Sequence, residues 1–154
     1  MSLVDKPEQV DTSLRADGQQ HSYLVLSLEE RAKGFVRPYR DSYVHVGRTI
    51  CGKVADLASP LPDGRVAHVC VCNPGHDGEC SAWTAVDSQG LDQLKSTGKL
   101  GGCGTVTRMA RALAETYARD PSFYGGTFCS GCRAHLPVGE EGQFVWLDGS
   151  RVGT

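Results

Sequence analysis

The sequence predicts a small, irregular α+β domain in which short strands and hairpins pack on one amphipathic helix over about residues 105–119. Three observations carry this expectation. Leu, Val, Ile and Phe make up only about 21% of the 154 residues, close to the roughly 20% level that accompanies disorder. Period-two runs are short and interrupted by Gly and Pro, which supply about 17% of the chain. Seven cysteines are present, in a chain with little else to hold a core. A net charge of −2 argues against a self-repelling disordered chain and against a strongly basic nucleic-acid footprint. No apolar run reaches the roughly 18 residues of a membrane-spanning helix.

Met1 to Gln20 carries Asp5, Lys6, Glu8, Asp11, Arg15 and Asp17 and no apolar h-region. It reads as a flexible polar tail without a secretory signal, and so predicts a cytoplasmic location. Residues 21–154 are expected to form a single domain with a variable, Cys-containing insertion at about 51–100. Ser27-Leu28-Glu29-Glu30 matches a capping box that opens a short helix stopping near Gly34. Arg37 precedes Pro38 and is pushed out of the helical region, which makes Phe35–Pro38 extended. Tyr43–Val46 alternates as a strand that Gly47 closes. Pro60, Pro62 and Asp63-Gly64 mark 56–64 as a loop. In Arg65–Cys72, alternation puts Ala67, Val69 and Val71 on one face and His68, Cys70 and Cys72 on the other. Asn73-Pro74-Gly75 breaks that strand, Ser81–Val86 returns, and Leu91–Lys95 reads as a single helical turn. Val106, Met109, Ala110, Leu113 and Tyr117 recur at helical spacing, the stripe of a helix over Thr105–Arg119 that Asp120-Pro121 ends. Gly125-Gly126 then turns the chain into Thr127-Phe128-Cys129, and Gln143–Leu147 is a last short strand.

Cys129-Ser130-Gly131-Cys132 is a CxxC in a Gly-containing turn. Such a turn lets two thiolates converge on one metal at about 2.3 Å each, as in a zinc knuckle. The rival readings are a redox pair and two unrelated structural thiols. A redox pair wants a helix after the motif within a βαβ unit; here His135, Pro137 and a Gly-rich hairpin follow, so metal is preferred. Tetrahedral Zn2+ wants four ligands. Cys103, in Gly101-Gly102-Cys103-Gly104 and just ahead of the expected helix, is the third, because a helix N-terminus favours a thiolate. Taken alone, Cys103 also fits a nucleophile with a histidine base. His45 is chosen as the fourth, since it ties a distant strand to the carboxy half; His135 is the alternative, and Cys51 is also eligible.

Cys51, Cys70, Cys72 and Cys80 remain, numerically enough for a second metal, with His68 or His76 able to replace one of them. Buried free thiols and disulfide chemistry are the other readings of these four. A site with four protein ligands leaves no open position for water and is structural. Its apparent ~10–16 kcal/mol rivals the whole ~5–15 kcal/mol stability of a domain.

Cys103-Gly104-Thr105-Val106-Thr107-Arg108-Met109, Ala114–Pro121, Phe123–Cys129, the CxxCxxH over 129–135 and Phe144-Val145-Trp146 together resemble small uncharacterised zinc-binding proteins of actinobacterial phages and prophages. Gly34–Pro38 and Tyr43-Val44-His45 resemble them as well, and the likeness is most specific over 103–146. The resemblance implies a phage-type origin and zinc binding, groups His45 with Cys103, Cys129 and Cys132, and implies no reaction.

Three functions follow. The preferred one is a non-enzymatic, zinc-stabilised module that binds a protein, such as a host factor. The second is a nucleic-acid binder using Arg31, Lys33, Arg37 and Arg40 around Phe35, Tyr39 and Tyr43, with the Arg108/Arg111 face of the helix. The third is an enzyme, either a zinc nuclease or a thiol enzyme acting through Cys103. The sequence contains no H-x-E with P-C-x-x-C, no H-E-x-x-H, no G-x-S-x-G and no phosphate-binding loop, so no catalytic residue and no small-molecule substrate is assigned.

Overall fold

The computed structural model describes residues 1–55 and 64–154; the loop expected at 56–64 lies outside them except for Gly64. In chain order the elements begin with β1 (Ser2–Val4), a 3-10 turn (Pro7–Gln9), β2 (Ser22–Leu24), α1 (Leu28–Arg31), β3 (Ser42–His45) and β4 (Gly47–Thr49). Next come β5 (Val54–Ala55), β6 (Ala67–Cys70), β7 (Trp83–Val86), α2 (Ser88–Thr97) and β8 (Lys99–Gly101). The last are β9 (Val106–Arg108), α3 (Arg111–Arg119), β10 (Gly126–Cys129), β11 (Ala134–Pro137) and β12 (Phe144–Trp146). The class is α+β, as the sequence predicts. The chain divides into two compact units, one made of Met1–His45 with Cys103–Thr154 and one of Val46–Gly102. The segment expected as an insertion at about 51–100 falls inside the second.

The first unit is built on the antiparallel sheet β12-β3-β9. Alternation along β3 sends Tyr43 and His45 to its buried side, where they face Trp146 and Phe144 of β12. The Tyr43 ring stands edge-on to Phe144 at 5.3 Å and to Trp146 at 6.1 Å. From α3, Tyr117 meets Trp146 edge-on at 5.6 Å, and Ala114 and Ala118 are fully enclosed. Edge-to-face packing of this kind adds to plain burial, so four rings offset a shortage of aliphatic residues. The hairpin β10–β11 pairs Cys129 with Ala134, and the Tyr43 hydroxyl donates to the Phe128 carbonyl. At α1 the Ser27 hydroxyl accepts from the Glu30 N–H as its capping-box spacing requires.

Three elements differ from the sequence reading. The first twenty residues are folded: β1 pairs in parallel with β2, from Ser2↔Ser22 to Val4↔Leu24. Their carboxylates serve the backbone locally, Asp11 accepting from the Ser13 N–H and Asp17 from the Gln19 N–H, which is why a polar composition conceals a folded segment. The amphipathic helix is shorter than 105–119, because Val106–Arg108 forms β9 and only Arg111–Arg119 is helical. Val106 and Thr107 are β-branched, and β3 offers their backbone an antiparallel partner; Val106 ends 53% exposed and leaves the apolar stripe. The turn expected at Leu91–Lys95 is instead the ten-residue α2. The Asp87 carboxylate caps it by accepting from the Gly90 N–H, and Gly98, at φ +69°, closes it.

The second unit pairs β4 with β8 and builds the sheet β5-β6-β7. Its core is Ile50, Ala67, Val69, Val86 and Leu94. Gly47 has φ +95°, and a Cβ there would come within 2.3 Å of the Leu100 carbonyl oxygen, so β4 can approach β8 only with glycine at that position.

Candidate metal centres

The first unit brings His45, Cys103, Cys129 and Cys132 together, their ligand atoms all within 4.8 Å of one another. His45 ends β3 and Cys129 ends β10, so the sheet and the hairpin fix two donors, both buried. Cys132 lies in the turn after Cys129, where its N–H points at the Cys129 Sγ from 3.4 Å. Arg133 closes that turn at φ +55°, its N–H donating to the Cys129 carbonyl at 2.8 Å. Cys103 Sγ is 3.4 Å from Cys129 Sγ, and Cys132 Sγ is 3.4 Å from His45 Nδ1. Bonds of about 2.3 Å to sulfur in a tetrahedron place sulfurs about 3.8 Å apart, so the cage already has nearly the span of an ion. A side chain on Gly131 would approach the Cys103 Sγ to 2.8 Å, which explains the glycine in the knuckle.

Cys103 does not sit at a helix N-terminus, since it precedes β9. Burial works to raise its thiol, but hydrogen bonds with Thr105, His45 and Cys129 outweigh this and bring it to about 6. Burial and the Cys129 and Cys103 sulfurs push Cys132 up to about 11. Sulfurs this close cannot all ionise unaided, and a bound cation that takes up thiolates removes the conflict. The His45 Nε2 is 2.7 Å from the Gln143 Oε1. The Gln143 oxygen favours the tautomer with the proton on Nε2, which leaves Nδ1 as the acceptor facing the cluster; there it receives the Cys103 N–H at 3.2 Å, and an ion would take that place. Sequence reasoning missed Gln143, since nothing in a lone glutamine signals this role. Gln143→Leu is expected to weaken metal binding about 10–100-fold, the usual loss for such a supporting group, as read by competition with a chromophoric chelator.

The second unit holds a second cluster of Cys51, Cys70, His76 and Cys80, again with ligand atoms within 4.8 Å of one another. His76 Nε2 lies 3.6 Å from Cys80 Sγ and 3.9 Å from Cys70 Sγ. This corrects the all-thiolate set, because His76 stands where Cys72 was expected. The physical reason is that β6 ends at Cys70, so the alternation that would align 70 with 72 stops there. The Asn73–His76 turn, in which the His76 N–H donates to the Asn73 carbonyl, then brings the imidazole round. Cys72 Sγ faces Ser81 Oγ at 3.8 Å, and the Ser81 backbone N–H is the main cause holding its thiol down at about 6. Burial pushes Cys70 up to about 12, whereas the Lys53 backbone and His76 bring Cys51 down to about 7.

His135, the alternative fourth ligand, lies outside the first cluster. Its Nε2 and the Tyr23 hydroxyl share a hydrogen bond at 2.8 Å, and its ring packs on Phe128 at 5.4 Å. Burial lowers its pKa. The unfolded chain therefore takes up this proton first on acidification, and the residue contributes stability that fades as pH drops below about 6.5. An NMR titration is expected to place the His135 midpoint below 6.5; a midpoint at or above it contradicts the burial argument.

The basic residues singled out for nucleic acid are mostly compensated. Arg31 pairs with Glu115 at 3.2 Å, Lys33 with Glu30 at 2.7 Å and Arg40 with Asp148 at 3.3 Å. Arg108 pairs with Asp41 at 3.1 Å, and Arg111 shares Glu115 with Arg31, also at 3.2 Å, so five cations meet four carboxylates. Arg37 donates to the carbonyls of Val36 and Thr154. Among the described residues no helix is long and apolar enough to cross a membrane. Both clusters have four protein donors, the number that closes a tetrahedral site. No family model matches this chain, and neither the curated proteins nor the solved structures show a significant similarity to it.

Proposed function

We propose that this chain is a phage-type, non-enzymatic interaction module whose two units are each held by one structural Zn2+. The observation that carries the reading is the pair of four-donor clusters, one per unit. Thiolate and imidazole donors in tetrahedral sets suit zinc, and four protein ligands leave no position for a reacting water. The resemblance to small phage proteins supports the same origin and metal. Protein binding is supported by the exposed Phe35, Val36 and Tyr39, presented by a segment whose Val36 and Arg37 N–H groups are both pinned to the Ala118 carbonyl. Aromatic anchors on a fixed backbone are what protein interfaces use at their centres. Charge pairing of Arg31, Lys33, Arg40, Arg108 and Arg111 disfavours a nucleic-acid surface.

Metal analysis of the purified protein is expected to give two zinc equivalents per chain. A pull-down from actinobacterial extract is expected to recover a partner that the Phe35→Ser/Tyr39→Ser variant loses. Zinc-free folded protein removes the metal reading. Salt-sensitive retention on DNA, with no protein captured, removes the interaction reading.

A further inference from the structure

Residues 31–40 carry Arg31, Lys33, Arg37 and Arg40 and no carboxylate, in a chain whose net charge is −2. Phe35, Val36 and Tyr39 stand exposed in the same stretch. The stretch lies along α3, where Arg119 donates to the Gly34 carbonyl at 3.3 Å and the Ala118 carbonyl accepts from the Val36 and Arg37 N–H groups. An open slot of about 350 Å3 results, lined by Phe35, Tyr39, Arg111 and Glu115.

Arg111 and Arg119 of α3 raise the cations here to six, and these draw on three carboxylates. Glu115 Oε1 takes both Arg31 and Arg111 at 3.2 Å. Glu30 takes Lys33 at 2.7 Å and Arg119 at 3.7 Å, and Asp148 takes Arg40. Arg37 donates to the carbonyls of Val36 and Thr154. Glu29 and Asp120 are close in sequence, but neither lines the slot, and Asp120 accepts from the Ser122 hydroxyl at 3.2 Å. Within the slot, Arg31 and Glu115 are each 14% exposed and neutralise one another. Arg111 is 84% exposed, so its guanidinium is the charge that the slot presents to solvent.

We propose that the slot beside Phe35 and Tyr39 docks an acidic segment of a partner protein, whose apolar anchor residue enters it while a neighbouring aspartate or glutamate pairs with Arg111. This rests on the interaction reading and names the chemistry of the partner. Charge complementarity selects partners more than it adds raw affinity, and interface centres are enriched in aromatic residues and Arg. A carboxylate arriving here meets a guanidinium whose own carboxylate is already neutralised by Arg31. A nucleic acid would ask for a row of unpaired cations along its phosphates, whereas this surplus surrounds a single apolar slot.

Three synthetic peptides of equal length test this on the full chain, each with a central phenylalanine flanked by glutamate, by glutamine or by lysine. Amide shifts of Phe35 and Tyr39 report binding. At low salt the glutamate peptide is expected to bind about tenfold more tightly than the glutamine one, the size of two exposed ion pairs. The gap is expected to close at about 1 M salt, where the screening length falls to about 3 Å, and the lysine peptide is expected not to bind. Arg111→Gln, which leaves the Arg31–Glu115 pair in place, is expected to cut the preference about threefold, the size of one such pair. Phe35→Ser/Tyr39→Ser is expected to lose all binding. Equal binding of the glutamate and glutamine peptides, or a preference untouched by Arg111→Gln, overturns the acidic assignment and leaves the interaction reading to the pull-down. An oligothymidylate strand that shifts the same amides and binds more tightly than the glutamate peptide overturns it in favour of nucleic acid. Absence of any shift overturns it outright, and the pull-down, which uses none of these peptides, then judges the interaction reading separately.

Discussion

Cys129→Ser is expected to lower zinc content by one equivalent per chain and to unfold the first unit while the second keeps its amide protection. Cys129 is fully buried, sits 3.4 Å from the Cys103 sulfur and receives the Cys132 N–H. It also belongs to the aromatic core with Tyr43, Phe144 and Trp146. Serine removes a ligand and leaves a hydroxyl in an apolar environment, so two penalties act at one position. Ligation at an apparent ~10–16 kcal/mol exceeds or matches a domain's ~5–15 kcal/mol stability, and losing most of it leaves nothing to spare. Zinc counted by plasma mass spectrometry, with hydrogen exchange resolved along the sequence, reads both effects. A variant that keeps two zincs and full protection contradicts the assignment of the first centre.

The second large effect separates two cysteines that lie two residues apart. Cys70→Ser is expected to lose one zinc and melt Val46–Gly102, whereas Cys72→Ser is expected to keep both zincs and change stability by less than about 1 kcal/mol, as for substitutions away from special features. Cys70 is fully buried at the end of β6 beside Val69, and it is one of the four clustered donors; Cys72 is not. His76→Ala should behave like Cys70→Ser. The reverse pattern, with Cys72→Ser losing metal and His76→Ala silent, would restore the all-thiolate set. On sequence grounds Cys70→Ser ranks below Cys129→Ser in importance, and the geometry raises it to the same rank for its own unit.

The legibility of this chain follows the reach of each signal. CxxC spacing, the Ser27 capping box and the β3 and β12 patterns are local, and each could be read because a few neighbouring residues decide it. His45 and Cys103 were readable as partners of Cys129 and Cys132 through donor chemistry and the resemblance. The β9 strand was not readable, because Val106–Arg108 carries helical spacing and becomes a strand only when β3 supplies a partner more than sixty residues away. His76 was legible only as one of two histidines able to replace a cysteine: alternation favoured Cys72, but the end of β6 is set by its pairing with β7. Gln143 acts through a contact with His45 that only three dimensions reveal.

The chain leaves the first unit at His45 and returns at Cys103. Those two residues touch: the Cys103 N–H donates to His45 Nδ1 at 3.2 Å, and the Gly104 N–H donates to the His45 carbonyl at 3.0 Å. Exit and re-entry thus share one doorway, with its hinges made by the same pair of residues. A host built this way tolerates splicing, because a guest sequence whose own ends lie close can be exchanged there without redrawing the surrounding strands.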